Sequence, residues 1–185
     1  MSKKALAELI VAELIFRGAD SAVVEKALSA GASGLLVGRG GLSPVIAACM
    51  RGAHKSLEAL AAAGVDLLDY GPRRKTALMY AAWSGSTASA NILIAAGSSC
   101  LDGDDEGWTP LMYAARAGHA DMASLLLPRS NPLALNSEGK SALNLSSTEG
   151  VVRSILFVAE LAAREEQLLQ QATPRLGDGR GNARI

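Results

Sequence analysis

The most constraining feature of the sequence is a segment that recurs at intervals of about 33 residues, a length typical of repeat proteins. The stretch WTPLMYAARAG (108–118) aligns without gaps with KTALMYAAWSG (75–85), and LSPVIAACMRG (42–52) lies one such period further upstream. In each segment a hydroxyl residue comes second, an apolar run follows, and a glycine ends the segment. A more divergent copy, KSALNLSSTEG (140–150), begins one residue short of the next full period downstream. A fixed period of this length predicts stacked structural units.

A second series of residues recurs in the same register. Gly31, Gly64 and Gly97 each follow an apolar run and are separated by the same period, and Ser130 takes the next place. Each unit therefore has two recurring positions at which an apolar run ends, mostly at a glycine. This pattern predicts two helices joined by a turn. Hydrophobic residues make up 49% of the chain but aromatic residues only 4%, which favours closely packed helices over a β-sheet.

Residues 107–119, GWTPLMYAARAGH, resemble the ankyrin repeat, whose pattern Gly-x-Thr-Pro-Leu-x-x-Ala-Ala-x-x-Gly-His they match nearly in full. Residues 74–85 match it in part, since Arg74 replaces the expected Gly and Ala77 the expected Pro. The resemblance implies an all-α, ankyrin-type helix-turn-helix solenoid with short β-hairpin-like fingers. About five stacked units are expected, including degenerate end caps.

The predicted organisation is a single ankyrin-repeat domain over residues 1–172, followed by a polar Gly/Arg-rich tail at 173–185. The predicted units span about 5–37, 38–70, 71–103, 104–135 and 136–172. Terminal units diverge from the repeat because one side of each faces solvent. The last helix, from about Val151 to Gln171, is predicted to be longer than the others, with a core-facing stripe of Val152, Ile155, Leu156 and Ala159.

The recurring residues have local structural roles. A hydroxyl directly before a helix can cap its N-terminus, which predicts N-caps at Ser43, Thr76 and Thr109. Glycine adopts the left-handed conformation that ends a helix, which predicts C-caps at Gly52, Gly85, Gly118 and Gly150. Pairs of alanines allow neighbouring helices to approach closely, and they occur at Ala81–Ala82 and Ala114–Ala115. The imidazole of His119 is expected to tie the backbone of one unit to the next unit.

Charge and cysteine content narrow the class of protein. Lys plus Arg and Asp plus Glu both number 18, so no net charge favours nucleic acid as a partner. Cys49 and Cys100 match no zinc or disulfide pattern. The N-terminus is basic and then apolar, like a signal peptide, but Glu8 and Glu13 interrupt the apolar run at helical spacing, which favours an amphipathic helix. No stretch approaches the roughly twenty apolar residues of a membrane span. The sequence predicts a soluble cytoplasmic protein, with organelle import left open.

Other motifs suggest ligand binding or catalysis, but the repeat explains them better. DGDDEG (102–107) begins like a calcium loop, yet the twelfth position is Tyr113, which cannot chelate. VGRGGLS (37–43) lacks the Gly-Lys-Ser/Thr ending of a phosphate loop. Neither His54 nor His119 has a recognisable nucleophile partner. The sequence therefore predicts no catalytic residue, no metal site and no cofactor.

The residues that do not recur are the candidates for partner binding. The resemblance implies that partners bind at the finger tips and on the exposed side of the first helices, along a concave face. Trp83 and Trp108 both fall on this face and are expected to be exposed there. Because tryptophan and arginine dominate interface energetics, partner binding is favoured over partial packing of the two indoles between fingers. The predicted partner-binding residues are Arg39, Leu42, Met50, Arg51, Arg73, Lys75, Trp83, Trp108 and Arg116.

Two alternatives within this surface stay open. Asp105 and Glu106 can form ion pairs with Arg73 or Arg74 on the neighbouring finger, which would leave those charges without a role in binding. Tyr80 and Tyr113 occupy equivalent places in successive units. Packing between adjacent first helices is favoured for them over a row of aromatic side chains that binds a partner.

The predicted function is a non-catalytic protein–protein interaction module, acting as a scaffold or adaptor. Its partner would be a protein or peptide with an apolar anchor and acidic residues, and apart from that partner the chain is expected to be a monomer. The alternative is a structural subunit of a larger assembly that uses the long last helix, with Leu168 and Leu169, and the C-terminal tail.

Overall fold

The computed structural model describes residues 11–29, 31, 42–146 and 150–172. Residues 11–16 are helical and are called α1. Nine further helices follow within the described residues: α2 (Ser21–Ser29), α3 (Pro44–Arg51), α4 (His54–Ala62), α5 (Ala77–Ser84), α6 (Thr87–Ala95), α7 (Pro110–Ala117), α8 (Ala120–Leu126), α9 (Ala142–Leu145) and α10 (Val151–Ala172). Short 3-10 turns occur at Pro72–Arg74 and Leu127–Arg129.

The helices form two parallel rows. Helices α3, α5, α7 and α9 pack against one another in sequence and make the inner row. Helices α2, α4, α6, α8 and α10 make the outer row in the same way. Each inner helix also packs on the outer helix that follows it, so the two rows form one stack. The predicted all-α helix-turn-helix solenoid is confirmed.

The inner helices begin and end as their sequences predict. In each of the first three, a hydroxyl accepts a hydrogen bond from the amide three residues later: Ser43 from Ile46, Thr76 from Met79 and Thr109 from Met112. Each then ends at a left-handed glycine, with φ of 64° at Gly52, 75° at Gly85 and 79° at Gly118. The predicted alanine pairs lie at the centre of the stack, and Ala81, Ala82, Ala114 and Ala115 are fully buried.

Polar contacts fix the spacing between neighbouring units. The Nε2 atom of His119 lies 3.0 Å from the carbonyl oxygen of Trp83, which confirms the predicted tie between units. One unit earlier, the hydroxyl of Ser84 donates to the carbonyl of Cys49 at 2.7 Å. Gly85 leaves room for the imidazole, since a Cβ atom there would lie 2.7 Å from Nδ1 of His119.

The fingers between units are hairpin-like loops. Each is closed by one backbone bond between residues four apart: Gly71 N to Lys75 O (2.8 Å), Asp104 N to Trp108 O (3.1 Å) and Asn136 N to Lys140 O (3.0 Å). Adjacent fingers are also bonded to each other, because the Asp105 amide donates to the Arg73 carbonyl and the Ser137 amide to the Glu106 carbonyl. Within the described residues, the only β-type pairing is one antiparallel bridge, Tyr70 to Thr76.

The last inner helix departs from expectation. The sequence predicts Gly150 as its C-cap, but α9 is only four residues long and stops at Leu145. Ser146 follows with extended backbone angles, and its hydroxyl donates to the Leu143 carbonyl at 2.7 Å. A side chain that bonds to the backbone in this way competes with the next helical hydrogen bond, which explains the early end.

The final helix, α10, has 22 residues, so its predicted greater length is confirmed. Its predicted core stripe is also present, with Val152 and Leu156 buried and Ile155 and Ala159 half-buried. A buried carboxylate joins this stripe: Glu160 accepts a hydrogen bond from the Ser141 hydroxyl and contacts the Arg164 guanidinium at 3.4 Å. The side chain thereby connects α10 to the N-cap of α9.

Candidate functional site

A cavity opens on the exposed side of the inner helices. It has a volume of about 180 Å³ and lies between α3 and α5, with its far wall on α7. No acidic side chain is among the residues that line it. These residues are Met50, Lys75, Met79, Tyr80, Trp83 and Tyr113. We call this cavity and its lining residues the inner groove.

Trp83 stands at the mouth of the inner groove. Its side chain is 50% exposed, although its backbone belongs to the well-packed helix α5. The indole meets the Tyr113 ring edge-on, with ring centroids 6.3 Å apart and planes at 82°. The carbonyl of Trp83 is held by His119, so the indole is supported from both its ring and its backbone. A supported but half-exposed tryptophan has much apolar area left for a partner to bury.

Tyr113 forms the floor of the groove and is locked in place by Asp104. Its hydroxyl donates to one oxygen of the Asp104 carboxylate at 2.6 Å. The other oxygen accepts from the amides of Glu106 and Trp108, both at 2.9 Å. Burial first, and then the hydrogen bond to Asp104, raise the pKa of Tyr113 above its usual value. The phenol is therefore neutral at physiological pH, and protein donors already occupy both oxygens of Asp104.

Two cations stack on the aromatic residues of this region. The Lys75 ammonium lies 5.2 Å from the centroid of the Tyr113 ring. The Arg116 guanidinium carbon lies 5.6 Å from the centroid of the Trp108 ring. Lys75 therefore supplies a cation in the groove lining and Arg116 one beside it, while Asp104 and Glu106, which act on Tyr113, and Glu138, which interacts with Arg116, lie outside the lining.

The structure brings together only part of the predicted binding set. Met50, Lys75 and Trp83 line the inner groove, and Arg116 lies beside it through Trp108 and Tyr113. The other predicted residues lie elsewhere. Leu42 is half-buried outside the lining, Arg51 lies against Gly18, Arg73 is bonded to Glu106, and Arg39 is outside the described residues.

The Arg73–Glu106 ion pair decides one alternative that the sequence left open, namely whether charges on neighbouring fingers pair with each other. The Arg73 guanidinium donates to Glu106 at 2.7 Å across the two fingers, while both side chains remain at least half exposed. Exposed pairs of this kind contribute about 0.2–1 kcal/mol. Arg73 therefore serves the contact between fingers in this structure.

Trp108 is not exposed as expected. It is half-buried against the core, with its ring centroid 5.3 Å from that of Tyr113. Its indole Nε1 is buried and has no hydrogen-bond partner. The cause is local: the Trp108 amide is bonded to Asp104, which holds the base of the finger so that the indole tilts onto Tyr113. The expectation of exposure is correct for Trp83 and wrong for Trp108.

Sequence reasoning also missed groove residues, above all Tyr80. Packing between inner helices was favoured for both tyrosines. Tyr113 packs against Trp83 and Trp108 and also forms the cavity floor, whereas Tyr80 is half-buried in the cavity wall. A signal was present in the chain. Tyr113 has Asp104 nine residues before it, whereas the equivalent residue before Tyr80 is Gly71. The Tyr80 hydroxyl fills the space above that glycine, 2.7 Å from where a Cβ atom would lie.

The family of the chain follows from its match to a known repeat. A family model described as ankyrin repeats (3 copies) matches residues 8–104 and again residues 93–167. The chain belongs to the ankyrin repeat family. Ankyrin repeats are generally protein–protein interaction modules, and they are typically non-catalytic. No curated protein sequence matches the chain significantly.

None of the described helices is both long and apolar enough to cross a membrane. The described residues also contain no group of three or more His, Cys, Asp or Glu side chains placed to hold a metal ion.

Proposed function

We propose that the inner groove binds an apolar side chain of a protein or peptide partner, and that the chain acts as an adaptor. The observation that carries the proposal is Trp83, a half-exposed indole at the mouth of a cavity built from aromatic and thioether side chains. Ring contacts with Tyr113 and the hydrogen bond from His119 hold it in place before any partner arrives. Such preorganisation lowers the entropy lost on binding.

The size of the cavity indicates the anchor. A volume of about 180 Å³ corresponds to about six water molecules at their share of liquid volume. A leucine, methionine or phenylalanine side chain fits this space, whereas a whole small-molecule ligand of drug size needs about 300 Å³ or more. The groove therefore suits one side chain of a larger partner.

The charges indicate what should surround the anchor. Lys75 and Arg116 lie beside the aromatic rings, and no acidic side chain lines the cavity. Carboxylates of the partner next to its apolar anchor would pair with these cations. A cationic anchor is disfavoured, because the Lys75 ammonium already lies over the face of Tyr113.

The proposal is tested with a displayed library of random peptides selected on the folded chain. Enriched peptides should contain one large apolar residue with Asp or Glu nearby. Their affinity for Trp83→Ala should fall by about 30-fold or more, since truncating an anchor tryptophan costs about 2 kcal/mol. Leu101→Ala is the matched control, because Leu101 is 62% exposed but is not among the residues that line the groove.

The outcome of the selection decides the proposal in either direction. Equal binding to the native chain and to Trp83→Ala would show that the groove is not the binding site. Selection of basic peptides would contradict the proposed anchor chemistry. Circular dichroism of both variants checks that the solenoid remains folded.

A further inference from the structure

Helix α10 carries a second apolar stripe on the side facing away from the solenoid. Val152 and Leu156 fill the buried side. On the opposite side, Val151 is 66% exposed, Val158 64%, Leu161 50% and Leu168 65%. The outer face of a terminal repeat is normally polar, because it faces solvent. Helix α10, about 33 Å long, departs from this pattern because its outward side is apolar.

The exposed stripe has the spacing of a coiled-coil seam. Positions 151, 154, 158, 161, 165 and 168 follow one another at alternating intervals of three and four residues. Four of these six positions are apolar, and the other two are Ser154 and Glu165. An alternation of three and four keeps one face of a helix against a partner helix.

We propose that α10 pairs with α10 of a second copy of this chain in antiparallel orientation. A two-fold axis between residues 158 and 161 sets Val158 against Leu161 of the other copy and Val151 against Leu168. The same register sets Ser154 against Glu165, so the polar positions meet each other and the apolar positions meet each other. A seam that complements itself is what a two-fold dimer requires.

Charge selects the antiparallel orientation. In parallel pairing each Glu165 would face its own copy across the seam, and like charges there are unfavourable. In the antiparallel register the Ser154 hydroxyl, which donates to the Gly150 carbonyl at 3.5 Å within its own chain, can turn to donate to the Glu165 carboxylate of the other chain instead. Phe157, which is 53% exposed, would then lie beside Arg164 of the other copy, where a cation can stack on its ring.

Another segment of the same chain is a poorer occupant. The tail at 173–185 has only Leu176 and Ile185 as large apolar residues, among three glycines and three arginines. It cannot supply one apolar partner for each of the four apolar positions on α10. The second copy provides a matched partner at every position, and this inference does not depend on the proposed function of the inner groove.

The first test is sedimentation of the full chain from about 1 to 200 μM, a range that spans the affinities of weak and moderate dimers. The expected result is a concentration-dependent rise toward twice the 19.0 kDa mass of one chain. Leu161→Glu should keep the chain at the monomer mass over the whole range. Leu101→Glu is the matched control and should dimerise normally, because Leu101 is 62% exposed but lies in the loop that follows α6 and not on α10. A native chain that stays monomeric throughout would overturn the proposal.

The second test fixes the orientation by disulfide formation. Ser154→Cys mixed with Glu165→Cys should cross-link, whereas Ser154→Cys alone should not. In the antiparallel register the two copies of residue 154 are offset by about 11 residues, or about 16 Å, which exceeds the reach of a disulfide. Cys49 and Cys100 are buried and should not interfere. Cross-linking of Ser154→Cys with itself would indicate a parallel pair and overturn the proposal.

Discussion

Helices α5 and α7 contain the same five residues, Leu-Met-Tyr-Ala-Ala, yet their tyrosines have different environments. Tyr113 on α7 is 9% exposed and hydrogen-bonded to Asp104. Tyr80 on α5 is half-buried, lines the inner groove and faces Gly71. The difference comes from one finger residue, which is Asp104 in one unit and Gly71 in the other. The same five-residue segment can therefore lock its tyrosine into the floor of the groove or leave it half-buried in the groove wall, depending on the loop before it.

The largest expected effect comes from removing the carboxylate that distinguishes α7. Asp104→Ala leaves the Tyr113 hydroxyl and the amides of Glu106 and Trp108 without their acceptor, and we expect a loss of about 3 kcal/mol in unfolding free energy. Urea denaturation measures it. Asp102→Ala, an exposed carboxylate in the same loop, should change stability by less than about 0.5 kcal/mol. Equal losses in the two variants would refute the role assigned to Asp104.

A smaller effect is expected when a side chain is added on the α5 side. The backbone of Gly71 has a φ of −90°, which any residue can adopt, so the cost of Gly71→Ala is steric. Its Cβ would lie 2.7 Å from the Tyr80 hydroxyl and 3.1 Å from Cδ1 of Ile46. We expect a loss of about 2 kcal/mol in thermal or urea unfolding.

The matched background for Gly71→Ala is Tyr80→Phe, which removes the hydroxyl that causes the closest contact. The alanine should cost less in that background than in the native chain. If Gly71→Ala proves neutral in the native chain, the tyrosine is free to move away and the groove is less rigid than the structure indicates.

The smallest effect concerns the finger turns themselves. Arg74 has a left-handed backbone with φ of 55°, whereas the equivalent residue in the next finger is Gly107, with φ of 74°. Arg74→Gly should therefore stabilise the chain by about 1 kcal/mol, measured by thermal unfolding. Gly107→Ala should act in the opposite direction, and its Cβ would also lie 3.3 Å from Cα of Asn136. A destabilised Arg74→Gly variant would show that the Arg74 side chain contributes more than its backbone costs.

The sequence was a good guide where one residue determines its own local structure. The N-caps at Ser43, Thr76 and Thr109 depend on a hydroxyl and a nearby amide, and the C-caps depend on glycine backbone freedom. These features, and the fixed repeat period, sufficed to predict the solenoid. The short helix α9 was missed because its end depends on the hydroxyl of Ser146 competing for a backbone carbonyl.

The candidate site was harder to predict because exposure depends on contacts between units. Trp83 and Trp108 looked equivalent as isolated residues, but only Trp108 follows Asp104 in a finger that turns its indole onto Tyr113. Arg73 was predicted to join the surface because it lies at a finger tip, and Arg51 because its charge falls near the two tryptophans on the predicted concave face. The Arg73–Glu106 pair was one of the alternatives left open by the sequence. The contact of Arg51 with Gly18 was not foreseen, because it joins neighbouring units whose side-chain placement the repeat pattern does not specify.

The backbone bonds that join adjacent fingers give the solenoid a set of internal reporters. The Asp105 amide donates to the Arg73 carbonyl of the preceding finger, and the Ser137 amide donates in the same way to the Glu106 carbonyl. Each of these protons can exchange with solvent only when its own pair of fingers separates. Hydrogen–deuterium exchange at these two amides therefore measures separately how often each boundary between units opens. Comparing the two exchange rates shows from which end the stack begins to unfold.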